Sequence, residues 1–171
     1  MFRLLAILGI VAGSVYMGIH ASLKLKHRRE IILALENDIM QLSIGMDFLA
    51  KPLAELTLRF CSPATEIFWA AFRDELKLEG DVPKAWQNAM NTAKKQDAGF
   101  AALKKEELKI LEEYAQSLGA SDRTAQLKNA TMAQKRLDAV GGEAKEEYDR
   151  KGRLYLSMGV LCGIAIAILL W

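Results

Sequence analysis

A chain of 171 residues is long enough for one compact domain of ordinary size and too short for two large ones. Two cysteines exclude a disulfide framework, and two histidines, His20 and His27, leave little material for a zinc site or a histidine-based triad. The net charge of +2 is too small for the field of a nucleic-acid binder, and no basic stripe interleaved with aromatics occurs, so nucleic acid is not an expected partner.

With 51% hydrophobic and 26% charged residues, the average hides a division, because the apolar residues collect in two uninterrupted runs at the chain ends. Leu4 to Leu23 carries no Asp, Glu, Lys or Arg. As a helix it reaches about 30 Å, the thickness of the hydrocarbon core of a bilayer. A signal peptide is the rival reading. It is disfavoured because Arg3 is the only preceding charge, no A-x-A site closes the run, and Lys24, Lys26, His27, Arg28 and Arg29 follow it. An uncleaved anchor is expected. Leu154 to Trp171 is equally free of charge and just long enough to span.

The basic clusters Lys24, Lys26, Arg28, Arg29 and Arg150, Lys151, Arg153 flank the inner ends of the two runs, which places the middle on the cytoplasmic side with both termini outside. The expected division is an N-terminal transmembrane helix over 1–23, a cytoplasmic helical bundle over 24–153 and a C-terminal transmembrane helix over 154–171. Every acidic residue and all basic residues except Arg3 fall in the middle segment, which is therefore nearly neutral. Each span carries glycines four apart, Gly9 and Gly13 in the first, Gly159 and Gly163 in the second. That spacing lets helix backbones approach closely, which suits pairing of the spans or association between copies; the plain alternative is that glycine is common in membrane helices. Tyr155 and Trp171 lie near span ends, where aromatic side chains anchor at the interface.

Between the runs the only valines are Val82 and Val140, while Ala, Leu, Glu, Lys and Gln dominate, so the fold class is all-α, an antiparallel helical bundle. Ile32, Leu35, Ile39, Leu42, Met46 and Leu49 step by three or four, as do Ala130, Ala133, Leu137, Val140, Ala144 and Tyr148; both are core-facing stripes. Pro52 opens a short helix. Ser62 and Pro63 then start one with Phe68, Ala71, Phe72 and Leu76 on its buried face, stopping at Gly80. Asp81 and Pro83 start the next, which buries Trp86, Ala89, Met90 and Ala93 and fades near Asp97 to Gly99. A third, from about Ala101, places Leu108, Leu111, Ala115 and Leu118 on one face before Gly119. Ser121 or Asp122 caps a long last helix that runs to the membrane, with Gly141 and Gly142 as a point of loosening or kinking. The turn from Leu118 to Arg123 then stands on the order of 45 to 50 Å from the second span, at a tip open to soluble partners.

No catalytic constellation emerges. Glu143, Glu146 and Glu147 have no histidine three residues on, and they read as a solvated face. There is no P-loop, no G-x-S-x-G and no glycine-rich phosphate cradle, so no catalytic, cofactor or metal site is assigned, and any energy source belongs to a partner.

The run from Leu118 to Lys128, with Gly119, Asp122, Arg123 and Gln126, followed by Glu143-Ala144 and by Gly152-Arg153-Leu154-Tyr155 with Ser157, Gly159, Val160, Leu161 and Gly163, resembles the stage III sporulation protein AB family of endospore-forming Firmicutes. Ala34 to Met40 and Lys84-Ala85-Trp86 fit as well. The segment from Gln41 to Lys51 departs from the family by being longer and more apolar, so the first helical hairpin is expected to be built differently. The resemblance implies a bundle similar to the cytoplasmic domains of type II secretion F-type inner-membrane proteins, in the channel complex between mother cell and forespore, on the mother-cell side of the cell membrane. It further implies the secretion-type ATPase, stage III sporulation protein AA, and other channel subunits as partners. Gly119, Asp122, Arg123 and Gln126 match the family motif as candidates for structure or docking. A membrane-hairpin adaptor of another secretion or division assembly is the second reading.

Overall fold

A computed structural model describes residues 2–49, 53–59, 61–118 and 123–170. The elements are α1 (Phe2–Leu49), α2 (Leu53–Arg59), a 3-10 turn (Pro63–Thr65), α3 (Glu66–Glu79), α4 (Val82–Gln96), a single turn α5 (Ala98–Ala101), α6 (Lys105–Ser117) and α7 (Arg123–Leu170), with no strand among the described residues. The fold is all-α, as the residue content dictates.

The frame is made by α1 and α7, two 48-residue helices that run antiparallel. At 1.5 Å per residue each is about 70 Å long, more than twice the hydrocarbon thickness of a bilayer. Both contain a stretch apolar enough to cross a membrane. Neither helix breaks where its charge-free run meets the charged segment: no proline stands at either boundary, and Gly152 at the second is buried within unbroken helix. Of the departing segment Gln41 to Lys51, the part up to Leu49 extends α1, and Ala50 and Lys51 lie outside the described residues.

The stripes land as their spacing requires. Ile32, Leu35, Ile39 and Leu42 on α1, and Ala130, Ala133, Leu137, Val140 and Ala144 on α7, are buried. Met46 and Tyr148 are partly buried at the stripe ends, and the side chain of Leu49 lies outside the described residues. Between α1 and α6 sits an aromatic cluster. Phe68 packs edge-on to Trp69 and to Trp86, both at 4.8 Å between ring centroids, and Trp86 reaches Tyr114 of α6 at 5.9 Å. Edge-to-face contact sets the electropositive rim of one ring against the electron-rich face of the next. The α3–α4 hairpin turns on Gly80, whose φ of 69° is the left-handed conformation that favours glycine.

The start of α3 is held from outside its own helix. Ser62 is extended and makes no side-chain cap; the segment is held instead by the buried carboxylate of Asp38, on α1. It accepts from Ser62 N at 2.7 Å, from Trp69 Nε1 at 2.8 Å and from the Thr65 hydroxyl. One carboxylate thus serves three donors.

Two details depart from the spacing. The helix expected from about Ala101 begins at Lys105, because a separate turn, α5, intervenes: Asp97 ends α4 and its Oδ1 accepts from Gly99 N at 2.8 Å and Phe100 N at 3.0 Å. A side chain at Gly99 would begin 2.6 Å from Ile31 Cγ1 and 3.0 Å from His27 O, so only glycine lets this turn touch α1. Gly141 and Gly142, expected to loosen the last helix, lie within unbroken helix, and Gly141 is buried against Ile32 and Leu33. Pro52, Ser121 and Asp122, named as helix-starting residues, lie outside the described residues.

Replacing Asp38 by Ala strands the buried Trp69 Nε1 and the partly buried Ser62 N, leaves the Thr65 hydroxyl only Ser62 O, and should destabilise the full chain in detergent by about 3 kcal/mol, with Asn, which keeps one acceptor oxygen, intermediate. Chemical denaturation followed by circular dichroism measures this.

Candidate functional site

Of the motif residues, Gly119 and Asp122 lie outside the described residues, as does the side chain of Arg123, whose backbone opens α7. Gln126, one turn on, is partly buried. Just below, Leu118 is buried, and its N–H donates to Tyr114 O at 3.3 Å and Ala115 O at 3.1 Å, closing α6. Because α1 and α7 are antiparallel, the start of α7 lies at the end of the helix pair opposite the apolar runs.

The four glycines of the two repeats are not equivalent. A Cβ at Gly159 would lie 2.9 Å from Ser14 O and 3.2 Å from Gly18 Cα, and one at Gly163 would lie 3.3 Å from Val11 Cα. Gly9 and Gly13 have nothing within 4 Å of that position, and Gly13 lines an open apolar groove with Met17, Ala21, Met158 and Ile166. On α1 the close approach is made instead by Gly18, where a Cβ would stand 2.6 Å from Tyr155 O. The Ser14 hydroxyl donates to Gly159 O at 2.6 Å across the same contact. Gly18 was legible only in part. It is small, but its partner could not be known before the register of α1 on α7 was.

The strongest polar feature joins the bundle to these helices, and the sequence reading assigned its members other roles. Arg28, counted as a flanking charge, is buried at 4% exposure. Its Nε donates to Glu107 Oε1 at 3.1 Å, its second guanidinium nitrogen bonds the same oxygen, and its Nη1 donates to Glu147 Oε2 at 2.8 Å. Glu107 is itself buried and also accepts from Lys104 N, capping α6. Glu147, expected on a solvated face, is only 19% exposed and accepts from Lys104 Nζ at 2.7 Å and Lys151 Nζ at 2.8 Å as well. Glu143 and Glu146 are exposed as expected. The node ties α1, α6 and α7 together where the apolar runs begin. Removing one member of such a buried pair leaves a desolvated, unpaired charge and costs roughly 3–5 kcal/mol.

Hydrogen bonds from Lys104 and Lys151 hold the Glu147 carboxyl at about 2, below the ordinary carboxylate value. Burial pushes the Cys61 thiol and the Tyr114 phenol up, so both stay neutral near pH 7. Among the described residues no group of three His, Cys, Asp or Glu side chains is placed to hold a metal ion.

Two outcomes follow from this geometry. Gly18→Leu or Gly159→Leu should destabilise the helix pair by about 2 kcal/mol through forced separation, whereas Gly13→Leu leaves the thermal midpoint in micelles unchanged. The depressed carboxyl of Glu147 stabilises the fold fully above the ordinary carboxylate value of 4.5, and that contribution is lost as pH falls through about 2. In an acid titration of stability, Glu147→Gln should flatten that part of the curve.

Comparison with known proteins reaches the whole of this architecture. The family model described as stage III sporulation protein AB matches residues 3–171. The curated protein named stage III sporulation protein AB from Bacillus subtilis (strain 168) is 25% identical over 175 residues, covering 99% of both chains. A solved structure of a stage III sporulation protein AB, 24% identical, aligns with a TM-score of 0.56 over 71% of this chain and 96% of its own, and is alike in fold. With a family match that runs through both long helices and everything packed between them, the chain belongs to the stage III sporulation protein AB family.

Proposed function

We propose that this protein is a membrane-anchored platform subunit of a secretion-like complex that links mother cell and forespore, and that it docks a cytoplasmic secretion-type ATPase, stage III sporulation protein AA. The observation that carries the reading is the unbroken course of α1 and α7 from a charge-free run to the far end of the bundle. A displacement at the tip of two rigid, laterally packed helices reaches the membrane without a joint to absorb it. In this reading residues 1–23 and 154–171 span the mother-cell membrane and 24–153 face the cytoplasm, in keeping with the basic residues at the inner flanks. Family membership supports the setting in sporulation.

The segment of Asp122 and Arg123 is the docking element, because α7 starts at the end of the bundle away from its charge-free run and the two residues bring opposite charges to that start. The test is binding of the full chain, reconstituted in lipid nanodiscs, to the cognate ATPase. The double reversal Asp122→Arg/Arg123→Asp should weaken binding at least tenfold, about 1.4 kcal/mol, with helicity and melting unchanged. Undiminished binding by the reversal overturns the tip as the docking element, and no binding by the wild-type chain overturns the ATPase as its partner.

A further inference from the structure

The two basic clusters, far apart in sequence, form one ring around the helix pair. Antiparallel packing sets Ser22 against Gly152, where an added Cβ would lie 3.2 Å from Ser22 Oγ, and this brings Lys24 of α1 level with Arg150 and Arg153 of α7. Within the ring the cations divide into two kinds. Arg28 and Lys151 are neutralised by Glu107 and Glu147, and Lys26 pairs with Glu30 at 3.6 Å. Lys24, Arg29, Arg150 and Arg153 have no acidic partner within ion-pair distance among the described residues. Lys24, Arg150 and Arg153 are exposed; Arg29 is partly buried, and its Nε is buried with no hydrogen-bond partner. Among the described residues Glu143, Glu146 and Asp149 are acids near this level that no basic side chain pairs, fewer than the four unpaired cations, so the ring keeps an excess of positive charge.

We propose that these four side chains bind the phosphates of anionic phospholipid headgroups, fixing the height of the bundle on the membrane. The proposal rests on reading α1 and α7 as membrane spans. The ring begins where the charge-free runs end, so on that reading it lies at headgroup depth. Arginine donates two parallel N–H groups to a phosphate, and lysine adds a point charge. The fold itself withdraws the other cations into intramolecular pairs, so recognition falls to the uncompensated four.

The test uses the full chain in phosphatidylcholine bilayers and spin-labelled phosphatidylglycerol, with spin-labelled phosphatidylcholine as reference. Wild type should associate with the anionic lipid about fivefold more strongly, a preference that weakens at high salt. The quadruple change Lys24→Gln/Arg29→Gln/Arg150→Gln/Arg153→Gln should bring the ratio to one, and Lys24→Gln/Arg153→Gln, which leaves the buried Arg29 in place, should lower it part way. Lys26→Gln should leave it unchanged. Equal association by wild type, or a ratio indifferent to the double and quadruple changes, overturns the proposal; a drop in Lys26→Gln as large as that of the double change overturns its assignment to the unpaired cations. Alkaline extraction separates the underlying reading: release of wild type from membranes overturns the spans themselves, whereas retention with equal association overturns only the lipid site.

Discussion

The contact between α1 and α7 is the constraint on which the rest of the structure depends. Two helices of 48 residues pair along most of their length; among the described residues α2, the 3-10 turn and α5 pack on α1 and α6 packs on α7, while α3 and α4 pack on one another and reach the pair through those elements and the Trp69 bond to Asp38. The contact changes chemistry along its course. Toward the chain ends it rests on Gly18, Gly159 and Gly163, whose missing side chains admit close backbone approach. In the bundle it becomes a stripe of Ile, Leu, Val and Ala, driven by removal of apolar surface from water. Between the two regimes stands the Arg28, Glu107 and Glu147 node.

That node and Asp38 use the same device for different ends. Each is an ionised group on or against α1 that collects partners from elements distant in sequence. Asp38 fixes where the α3–α4 hairpin begins, and its partners are neutral donors. Arg28 fixes where α6 and α7 sit relative to α1. Buried ions are weak sources of net stability because desolvation offsets attraction, and their sharper effect here is on arrangement: a slip of one residue along α1 would turn Arg28 away from both carboxylates.

The family assignment gives this layout a setting in sporulation. The long helices leave no hinge between the apolar runs and the bundle. The aromatic cluster around Phe68 and Trp86 stiffens the hairpin packed on their side.

Local rules determined much of this in advance. Residue content excluded strands, three-and-four spacing identified the buried faces of α1, α3, α4 and α7, and Gly80, Asp81 and Pro83 marked a turn between helices, because each of these signals acts within a few residues of chain. The charge-free runs likewise declared themselves by length alone. The sequence did not disclose that Arg28 and Glu147 leave solvent, that Asp38 collects Ser62 N and the Thr65 and Trp69 side chains from around the 3-10 turn, or that Gly18 in place of Gly13 meets Gly159. Those roles depend on the register of α1 against α7 and on the height at which α6 starts. Register is a property of two elements together, set by the sum of contacts between residues more than a hundred positions apart, and no spacing within either helix contains it.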